Sequence, residues 1–547
     1  MRAAPAHHDL TRAAAAIALG AGLLAVLSLP HLGVTIDEPA LFYAGDRTLF
    51  ALTHPTAPGA LDYQAPEPPG FRSAFPRLPA AGDPERYPVL PGLVAATTSA
   101  TIGRALGLGP ADGHHLGLVL LSVAALFVFI RLAGELLGGT AGIAAGLTLA
   151  CFPTAVGHFA NDAKDWPSAM FYALTILSAG VGILDGNRRQ LWAAALWLGL
   201  ALSCKQNGVF AALTLVLAAP ALWPFVRAQP RLRTPLLLLP WIAGAIFLIA
   251  WPWLWWGGPR ALPQRLGGFV AFARAFSAGP RGGFSAHPLR CLLAMTPPIV
   301  LLAAAAGAWP GRAAPARRRA VAVLLASWLL LPLLRIALPH AAFYDANRHF
   351  IEYVPALCAL AGLGFVETWR RLPSRRWIRV AAAVVAGVAL LAPIAAYHPF
   401  ETAYFNVFAG GLGGAQRGAL FREPDAGPFS WGTEGDYWSS GLRDAVRAAR
   451  AVTPAPARLG VCAWEPELAA LDAGEPLASV TPDAEHAEGA VLVSPRYARC
   501  SWSRVRELER SRPVIRRVER GGGLIYEVLG PRDSVAREPV SPPTGYD

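Results

Sequence analysis

The chain has 547 residues, of which 54% are hydrophobic and 15% are charged, and its formal net charge is +12. Ordinary soluble domains carry about a quarter charged residues, so the composition excludes that class and indicates a protein that lies in lipid. The arginines occur in short turns between apolar blocks and do not form one basic face with interleaved aromatic side chains, which excludes a nucleic-acid-binding protein. Six cysteines without a CxxC pair predict no metal cage, and whether Cys462 and Cys500 form a disulfide stays open.

The first element in chain order is an apolar block at 13–29, preceded by Arg2 and Arg12. It resembles a signal peptide, but no small-residue cleavage site follows it, so we interpret it as an uncleaved first helix. Further blocks, such as 116–132, 235–256 and 380–396, are close to the length that crosses about 30 Å of hydrocarbon. The pattern predicts an all-α polytopic membrane protein with about eleven transmembrane helices.

Dense arginine clusters set the predicted orientation. They lie in the turns 188–189, 227–233, 312–319 and 370–379, and the positive-inside rule places them in the cytoplasm. The segment 91–106 then lies at the membrane surface, because a crossing there would move every later cluster outside. We therefore expect a multi-pass protein of a bacterial cytoplasmic membrane, with a cytoplasmic N-terminus and an extracytoplasmic C-terminus.

Two segments outside the membrane interrupt this pattern. Residues 31–113 form a long first extracytoplasmic loop within a transmembrane domain that spans 1–397. From 398 the apolar spans stop, and shorter patterns predict a small extracytoplasmic α/β domain over 398–530. Its predicted elements are helices at 436–450 and 497–509, buried strands at 458–463 and 490–493, and a hairpin over 514–527. Residues 531–547, with their Pro and Ser, are predicted to be a disordered tail.

Two adjacent carboxylates, Asp37 and Glu38, open the first outer loop a few residues beyond the first helix. Carboxylates at a membrane interface are costly unless they are solvated or used, and such a setting shifts a pKa toward catalytic use. A solvated helix end is the simpler explanation of the pair, and other residues have to decide.

A second outer turn carries Asp162, Lys164 and Asp165 directly before a helix with a proline, Pro167, in its first turn. The positive end of that helix dipole would face anything bound there, and a phosphate suits such a position. Ordinary N-capping of the helix by Asp165 is the structural alternative.

Lysine usage favours the functional interpretation. Lysine occurs only at Lys164 and Lys205, and nearly every other cation is an arginine. Both lysines lie in short, outward-facing turns beside predicted membrane helices. A compact ammonium with a movable pKa suits a phosphate oxygen or a developing anion. A compositional accident is the alternative.

A third outer turn brings Asp345, Arg348 and His349 next to another helix start. The guanidinium fork of Arg348 suits a phosphate, and Asp345 is placed to orient it. An ion pair between Asp345 and Arg348 that only anchors the loop is the alternative.

The order of these parts resembles the GT-C superfamily of membrane glycosyltransferases, in particular the bacterial relatives of protein O-mannosyltransferases and of lipid A aminoarabinose transferases. The resemblance runs from the N-terminus to about residue 438 and leaves the terminal α/β domain unmatched. No single motif is specific; the order of the motifs and their shared membrane side carry the resemblance. The matching motifs are Asp37-Glu38, Tyr87-Pro88-Val89-Leu90-Pro91, Lys164-Asp165-Trp166-Pro167, Lys205, Tyr344-Asp345, Arg348-His349-Phe350, the stretch 398–406 with Gly410-Gly411, and Tyr437-Trp438.

The resemblance implies an inverting glycosyltransferase, a hexosyl or pentosyl transferase, that moves a sugar from a polyprenyl-phosphate donor to an acceptor hydroxyl of a glycan, lipid or protein. It implies that Asp37, with Glu38 as its neighbour, acts as the base. The residues implied to bind the donor phosphate, whose leaving oxygen gains charge, are Lys205, Arg348 and Lys164. Those implied to orient the acceptor or a metal ion are Asp165, Asp162, Asp345 and His349. The resemblance fixes no metal site; a divalent cation, Mg or Mn, held at Asp165 is the cofactor that it allows.

One feature departs from the family pattern. The first loop lacks a clear arginine just after the acidic pair, and the nearest arginine is Arg47.

The alternative function is a transporter or flippase of a lipid-linked sugar, because charges near helix ends also bind a headgroup without cleaving it. Transporters often have internal repeats and charges deep within their spans. This sequence shows neither clearly, since its charges gather in the outer turns. A third interpretation, a membrane anchor for the C-terminal domain, would not need so many helices.

Overall fold

A computed structural model of the chain describes residues 7–77, 87–276, 282–309, 311, 314–342, 344–418, 435–463, 466–494, 500 and 502–532. The chain divides into two compact units. The first contains the residues up to Leu29 together with Asp37–Ala395, and the second contains Pro30–Ile36 and the residues from Ala396 onward. Several sequence predictions fall outside the described residues: Arg2, Arg312, the first residues of the helix expected at 497–509, and the tail from 533.

The first unit is helical, because a backbone in lipid must satisfy its own polar groups and an α-helix does so within one segment. We number its described helices α1 to α16 in chain order. Their bounds are His7–Ser28, Glu38–Thr53, Leu90–Thr98, Pro110–Leu137, Gly139–Ala150, Pro153–His158, Asp165–Leu184, Arg188–Leu202, Val209–Ala228, Arg233–Ala250, Ala261–Phe276, His287–Ala294, Pro298–Ala308, Ala316–Ala337, Tyr353–Arg371 and Arg376–Tyr397.

Among the described residues, seven helices are long and apolar enough to cross a membrane: α1, α4, α7, α9, α10, α14 and α16. Helices α12 and α13, bent by 110° at a short break, form an eighth candidate. The prediction of about eleven crossings also counted α5 and α8, which have 12 and 15 residues, and α15, which ends in two arginines. The predicted class, a polytopic all-α membrane protein with a small C-terminal α/β domain, is confirmed.

Burial distinguishes lipid-facing helices from a central one. On α10 and α16, large apolar side chains stay uncovered by protein, as at Leu237, Trp241 and Val385, which are 72%, 76% and 63% exposed. Hydrocarbon covers such a surface in a membrane, where lipid tails are as apolar as leucine. Helix α7 is instead buried along its whole length. Its first residue, Asp165, therefore lies inside the helical unit.

Helices α13 and α15 cross at two glycines. A Cβ at Gly307 would lie 2.0 Å from the carbonyl oxygen of Leu360, and a Cβ at Gly364 would lie 1.7 Å from that of Ala303. Small residues allow membrane helices to approach this closely. The crossing holds α15, and with it the turn that precedes its first residue, against the rest of the unit.

A buried arginine organises the loop that follows α2. Arg47 on α2 is 1% exposed and donates hydrogen bonds to the carbonyl oxygens of Gly59 (3.0 Å), Ala60 (2.9 Å) and Asp62 (2.7 Å). Its Nη1 also donates to the Tyr43 hydroxyl at 3.1 Å. The arginine that follows the acidic pair in the sequence thus binds the backbone of its own loop.

The second unit contains a five-stranded sheet in the order β2-β1-β3-β5-β4. Strand β1 pairs in parallel with β2 and β3, and β5 pairs antiparallel with β3 and β4. The strands are Leu459–Cys462, Val480–Thr481, Val491–Val493, Val514–Arg520 and Gly523–Leu529. The described helices of this unit, α17 to α20, are Gly411–Arg417, Leu442–Val452, Glu467–Ala473 and Trp502–Ser511.

Most of these elements lie where the sequence patterns place them, with β1 and β3 at the two buried strands and β4 and β5 at the hairpin. The helix expected from 436 begins only at Leu442. Asp436 explains the shift, because its carboxylate accepts the Gly441 N–H at 2.7 Å and the Ser440 hydroxyl at 2.9 Å. Those bonds stabilise a turn in place of the first helical turn.

Two further contacts define this unit. Cys462, the last residue of β1, forms a disulfide with Cys500, which answers the question that the sequence left open. The short segment Pro30–Ile36 also belongs here, although it precedes the acidic pair in the sequence. The Gly33 N–H donates to the Ser440 carbonyl at 2.9 Å, and the Val34 N–H donates to Asp472 Oδ1 at 2.8 Å.

Candidate active site

Asp37 is the residue directly before α2. The second residue of that helix is Pro39, which has no N–H group and therefore leaves no backbone donor unsatisfied in the first turn. The Asp37 side chain does not cap the helix. The carboxylate binds two cations instead: Lys164 Nζ lies 2.9 Å from Oδ2, and Arg348 Nη2 contacts the same oxygen. The first of the two predicted catalytic carboxylates is therefore in contact with two of the predicted phosphate-binding residues.

Arg348 is the centre of the cluster. Its Nε lies 2.8 Å from Asp165 Oδ2, its Nη1 lies 2.7 Å from Asp345 Oδ2, and its Nη2 reaches Asp37. Asp345 and Ala346 have positive φ angles of 59° and 54°, so the turn before α15 is tight and folds Asp345 back onto the guanidinium. One planar side chain thus joins three carboxylates from three separate segments.

The two lysines complete the cluster. Lys205 donates to Asp165 Oδ1, and Lys164 lies over the ring of Tyr87 at 4.2 Å from its centroid, a cation–π contact. Both lysine side chains are 5% exposed. The pKa of Lys164 is raised: burial opposes its charge, but the neighbouring tyrosine and the Asp165 carboxylate outweigh that effect. Three cations therefore face three carboxylates: Lys164, Lys205 and Arg348 against Asp37, Asp165 and Asp345.

Asp162 has a different position. Its carboxylate accepts the backbone N–H groups of Lys164 (3.0 Å), Asp165 (2.7 Å) and Trp166 (2.9 Å), and it pairs with His158 Nδ1 at 2.7 Å. Burial alone would raise the pKa of Asp162, but His158 and the amides hold it below its usual value. Asp162 thus accepts the backbone N–H groups at the start of α7. Asp165, which the structural alternative named as the N-cap, binds cations with its carboxylate.

The Glu38 carboxylate has a different partner from that of Asp37. It is fully buried and lies 3.0 Å from His115 Nε2 on α4. The adjacent His114 pairs with Asp46 at 2.9 Å. His115 was not among the residues predicted from the sequence, where its signal is the pair of histidines at the start of an apolar helix.

His349 lies beside the cluster and contacts the ring of Tyr344 at 4.2 Å between centroids. Burial, together with Lys205 and Arg348, holds the pKa of His349 well below its usual value, so the imidazole is neutral near pH 7. Across the residues that the structure describes, no three His, Cys, Asp or Glu side chains form a group suited to a metal ion. Both oxygens of Asp165, the predicted cation ligand, contact Lys205 or Arg348.

The chain is similar to several known proteins. Residues 102–256 match the family described as dolichyl-phosphate-mannose-protein mannosyltransferase. Among solved structures, ArnT from Cupriavidus metallidurans in the apo state is similar at 16% identity and a TM-score of 0.49, covering 94% of this chain and 97% of that one. The same ArnT bound to undecaprenyl phosphate has a TM-score of 0.48 at 16% identity, with 96% and 99% covered. The oligosaccharyltransferase of Archaeoglobus fulgidus reaches 0.45 at 11% identity, with 86% and 64% covered.

No curated protein matches the sequence. The segment that matches the mannosyltransferase family includes Lys164, Asp165 and Lys205. The motifs on either side of it follow in the order that the superfamily resemblance predicts. Over residues 102–256 the chain is therefore similar to the dolichyl-phosphate-mannose-protein mannosyltransferase family.

Proposed function

We propose that the protein transfers a sugar from a polyprenyl-phosphate donor to an acceptor hydroxyl, with inversion at the anomeric carbon, at the outer face of the cytoplasmic membrane. The observation that carries this proposal is the position of Arg348, which joins Asp37 to Asp165 and Asp345 while Lys164 and Lys205 bind the same carboxylates. A base and a set of phosphate-binding cations are in direct contact.

The balance of charge determines how a donor binds. Each cation is neutralised by a carboxylate, so an incoming phosphate must displace one of them. The Asp37 side chain is 14% exposed, whereas those of Asp165 and Asp345 are 1% and 2% exposed. Asp37 is therefore the carboxylate that exchanges, and Lys164 and Arg348 are the cations that pass to the phosphate.

This exchange activates the base. A carboxylate held by two cations is a poor proton acceptor, because the cations stabilise its charged form. Once phosphate oxygens take its place, Asp37 loses both partners and becomes a stronger base. Donor binding would thus prepare the acceptor chemistry before the acceptor hydroxyl arrives.

In the transfer step the acceptor oxygen forms a bond to the anomeric carbon, and the bond from that carbon to the phosphate oxygen breaks with its electron pair on the phosphate. The acceptor proton passes to Asp37. The donor phosphodiester carries one negative charge and the released phosphate carries more, so Lys164 and Arg348 stabilise the charge that develops. Direct attack from the side opposite the phosphate inverts the configuration.

The remaining charged groups hold this arrangement. Asp165 accepts from both Lys205 and Arg348, and Asp345 binds the third edge of the guanidinium. These contacts keep the Arg348 fork oriented when Asp37 leaves it. Neutral His349 does not add a further positive charge against the cations.

The disulfide of the second unit supports the assignment of the membrane side. Disulfides persist in oxidising compartments such as the bacterial periplasm and are rare in the cytosol. The Cys462–Cys500 bond therefore favours an extracytoplasmic second unit. The arginine-rich turns then lie in the cytoplasm, as the positive-inside rule requires.

The test compares Asp37→Asn with Glu38→Gln in the purified full-length protein. Radiolabelled polyprenyl-phosphate sugars and a membrane extract serve as donor and acceptor. We expect Asp37→Asn to lower kcat by about 1000-fold, because it removes the general base. The donor should bind at least as tightly as in wild type, because its phosphate no longer has to displace a charged carboxylate from Lys164 and Arg348, and a thermal unfolding transition shows that the variant is folded. Wild-type turnover in this variant would remove Asp37 from the mechanism, and a selective loss in Glu38→Gln would assign the base to its neighbour.

Two further results would overturn the proposal. The anomeric configuration of the product, read by NMR, must be opposite to that of the donor; retention contradicts direct displacement. In proteoliposomes, a labelled lipid that changes leaflet with its sugar still attached would favour the transporter.

A further inference from the structure

A cavity of about 690 Å³ lies in the first unit between the first outer loop and helix α11. It is separate from the charged cluster, and none of the residues that line it was singled out in the sequence. One part of its wall is aromatic and consists of Trp253, Phe269 and Phe272. The polar part includes Gln64, Gln264 and Arg265.

The aromatic wall is ordered by its own contacts. Trp253 packs on Trp251 at 5.5 Å, and Trp251 packs on Phe269 at 5.2 Å, between ring centroids. The guanidinium of Arg265 lies 4.9 Å from the centroid of the Trp253 ring and donates to the Trp253 carbonyl. Aromatic and cationic groups are therefore held in place before any ligand enters.

A pair of aromatic contacts connects the cavity to the charged cluster. The ring of Phe272, which lines the cavity, lies 5.6 Å from the ring of Tyr87 in an edge-to-face contact. Tyr87 in turn carries Lys164 at 4.2 Å over its ring. A ligand in the cavity would thus lie beside residues that contact the proposed phosphate site.

A glycine at the edge of the cavity adds a second observation. Gly268 lines the cavity within α11, and a Cβ added there would meet no heavy atom within 4 Å. A glycine inside a helix costs about 1 kcal/mol relative to alanine, and packing does not require it here. Its effect is to leave the cavity open.

We propose that this cavity binds a sugar ring during transfer, either the sugar of the donor or a sugar of a glycan acceptor. Sugars present apolar C–H faces, which suit aromatic rings, and vicinal hydroxyls, which suit the paired donors and acceptors of amide and guanidinium groups. The volume is within the range of small-molecule sites. The inference deepens the proposed function and rests on it.

The test fills the cavity. Gly268→Leu places a side chain in the open space, and Gly267→Leu is the matched control, because Gly267 also has no atom within 4 Å of an added Cβ but does not line the cavity. We expect Gly268→Leu to raise one KM at least tenfold with kcat within threefold of wild type, and Gly267→Leu to change neither. A change in the donor KM assigns the cavity to the donor sugar, and a change in the acceptor KM assigns it to the acceptor glycan.

A binding measurement keeps this test independent of the transfer chemistry. Saturation-transfer difference NMR with methyl glycosides of mannose, glucose, galactose and arabinose is run on the full-length protein and both variants. Signals in wild type and Gly267→Leu that vanish in Gly268→Leu support the site even if Asp37→Asn disproves the proposed base. The proposed sugar site is overturned if the NMR signals are equal in all three proteins, or absent from all three, and if the two variants also have equal KM values.

Discussion

Two buried arginines, one in each unit, have opposite kinds of partner. Arg348 in the first unit binds side-chain carboxylates of Asp37, Asp165 and Asp345. Arg512 in the second unit binds the backbone carbonyl oxygens of Ala487 (2.5 Å), Gly489 (2.8 Å) and Gly530 (3.2 Å). The two side chains are 4% and 2% exposed, so burial alone does not distinguish them.

The partners decide what each arginine can do. Backbone carbonyls cannot leave without local unfolding, so Arg512 ties strand ends and loops into one structure. Side-chain carboxylates can rotate away, so a phosphate can replace them on Arg348. A buried charge that is satisfied by other side chains is thus available to a ligand, whereas one satisfied by the backbone supports the fold.

The sharpest test of this comparison replaces each arginine with lysine. We expect Arg348→Lys to lower kcat by about 100-fold, because a single ammonium cannot replace a planar fork that contacts three carboxylates. We expect Arg512→Lys to destabilise the second unit by about 2 kcal/mol, since several carbonyls lose their donor, with kcat of the folded protein unchanged. Steady-state kinetics and hydrogen–deuterium exchange over residues 459–529 measure the two effects.

The reverse pattern would break the comparison. If Arg348→Lys keeps wild-type turnover while its own segment exchanges faster, Arg348 is structural, and the ion-pair alternative for its loop is correct. If Arg512→Lys slows transfer without faster exchange, the second unit takes part in the chemistry.

A smaller effect is expected in the segment that precedes Asp37. A Cβ on Gly33 would lie 2.4 Å from Asp472 Oδ2, so Gly33→Ala forces the segment away from the carboxylate that accepts the Val34 N–H. We expect a loss of about 1–2 kcal/mol, seen as faster exchange in peptides covering 30–36. Gly20→Ala is the control, because an added Cβ there meets no atom within 4 Å; equal exchange in both variants would mean that the contact does not hold the segment.

The smallest effect concerns pH. Burial, with Glu509 nearby, raises the pKa of Glu527 on β5 to about 7. The folded protein therefore holds a proton that the unfolded chain releases near pH 4.5, and stability falls as pH rises between these values. We expect Glu527→Gln to remove this decline and to stabilise the second unit at pH 8 by about 1 kcal/mol, measured by exchange at pH 5 and pH 8. We expect the exposed control, Glu507→Gln, to keep the wild-type pH dependence. The same dependence in Glu527→Gln would contradict the prediction.

Local sequence predicted several elements of the second unit well. The hairpin at β4 and β5 and the strands at β1 and β3 follow from alternation and glycine placement, which act over a few residues. The helix at 436 was predicted too early, because the Asp436 carboxylate stabilises a turn that hydrophobic periodicity does not report. The N–H groups at the start of α7 bind the Asp162 carboxylate, and Asp165, the N-cap in the structural alternative, lies three residues later.

The sequence pointed to the six residues of the charged cluster, but it did not show which of them pair, and it also named residues that lie outside the cluster. The scarcity of lysine drew attention to Lys164 and Lys205, and both lie in the cluster. Glu38 and Asp37 could not be told apart in the sequence, yet one pairs with His115 and the other with Arg348. Adjacent residues at a helix start point in different directions, and only the packed structure shows what each one meets.

The sequence by itself determined that this chain lies in a membrane, and it determined the order of the apolar helices and which turns between them carry charge. Those properties can be found from one segment at a time, because the transfer of a helix into lipid depends on the composition of about twenty consecutive residues. Only the tertiary structure decided that Arg348 joins Asp37, Asp165 and Asp345, and that Pro30–Ile36 packs with the second unit. Such contacts depend on how distant helix ends are oriented, and short-range pairing between charges leaves no periodic trace along the chain.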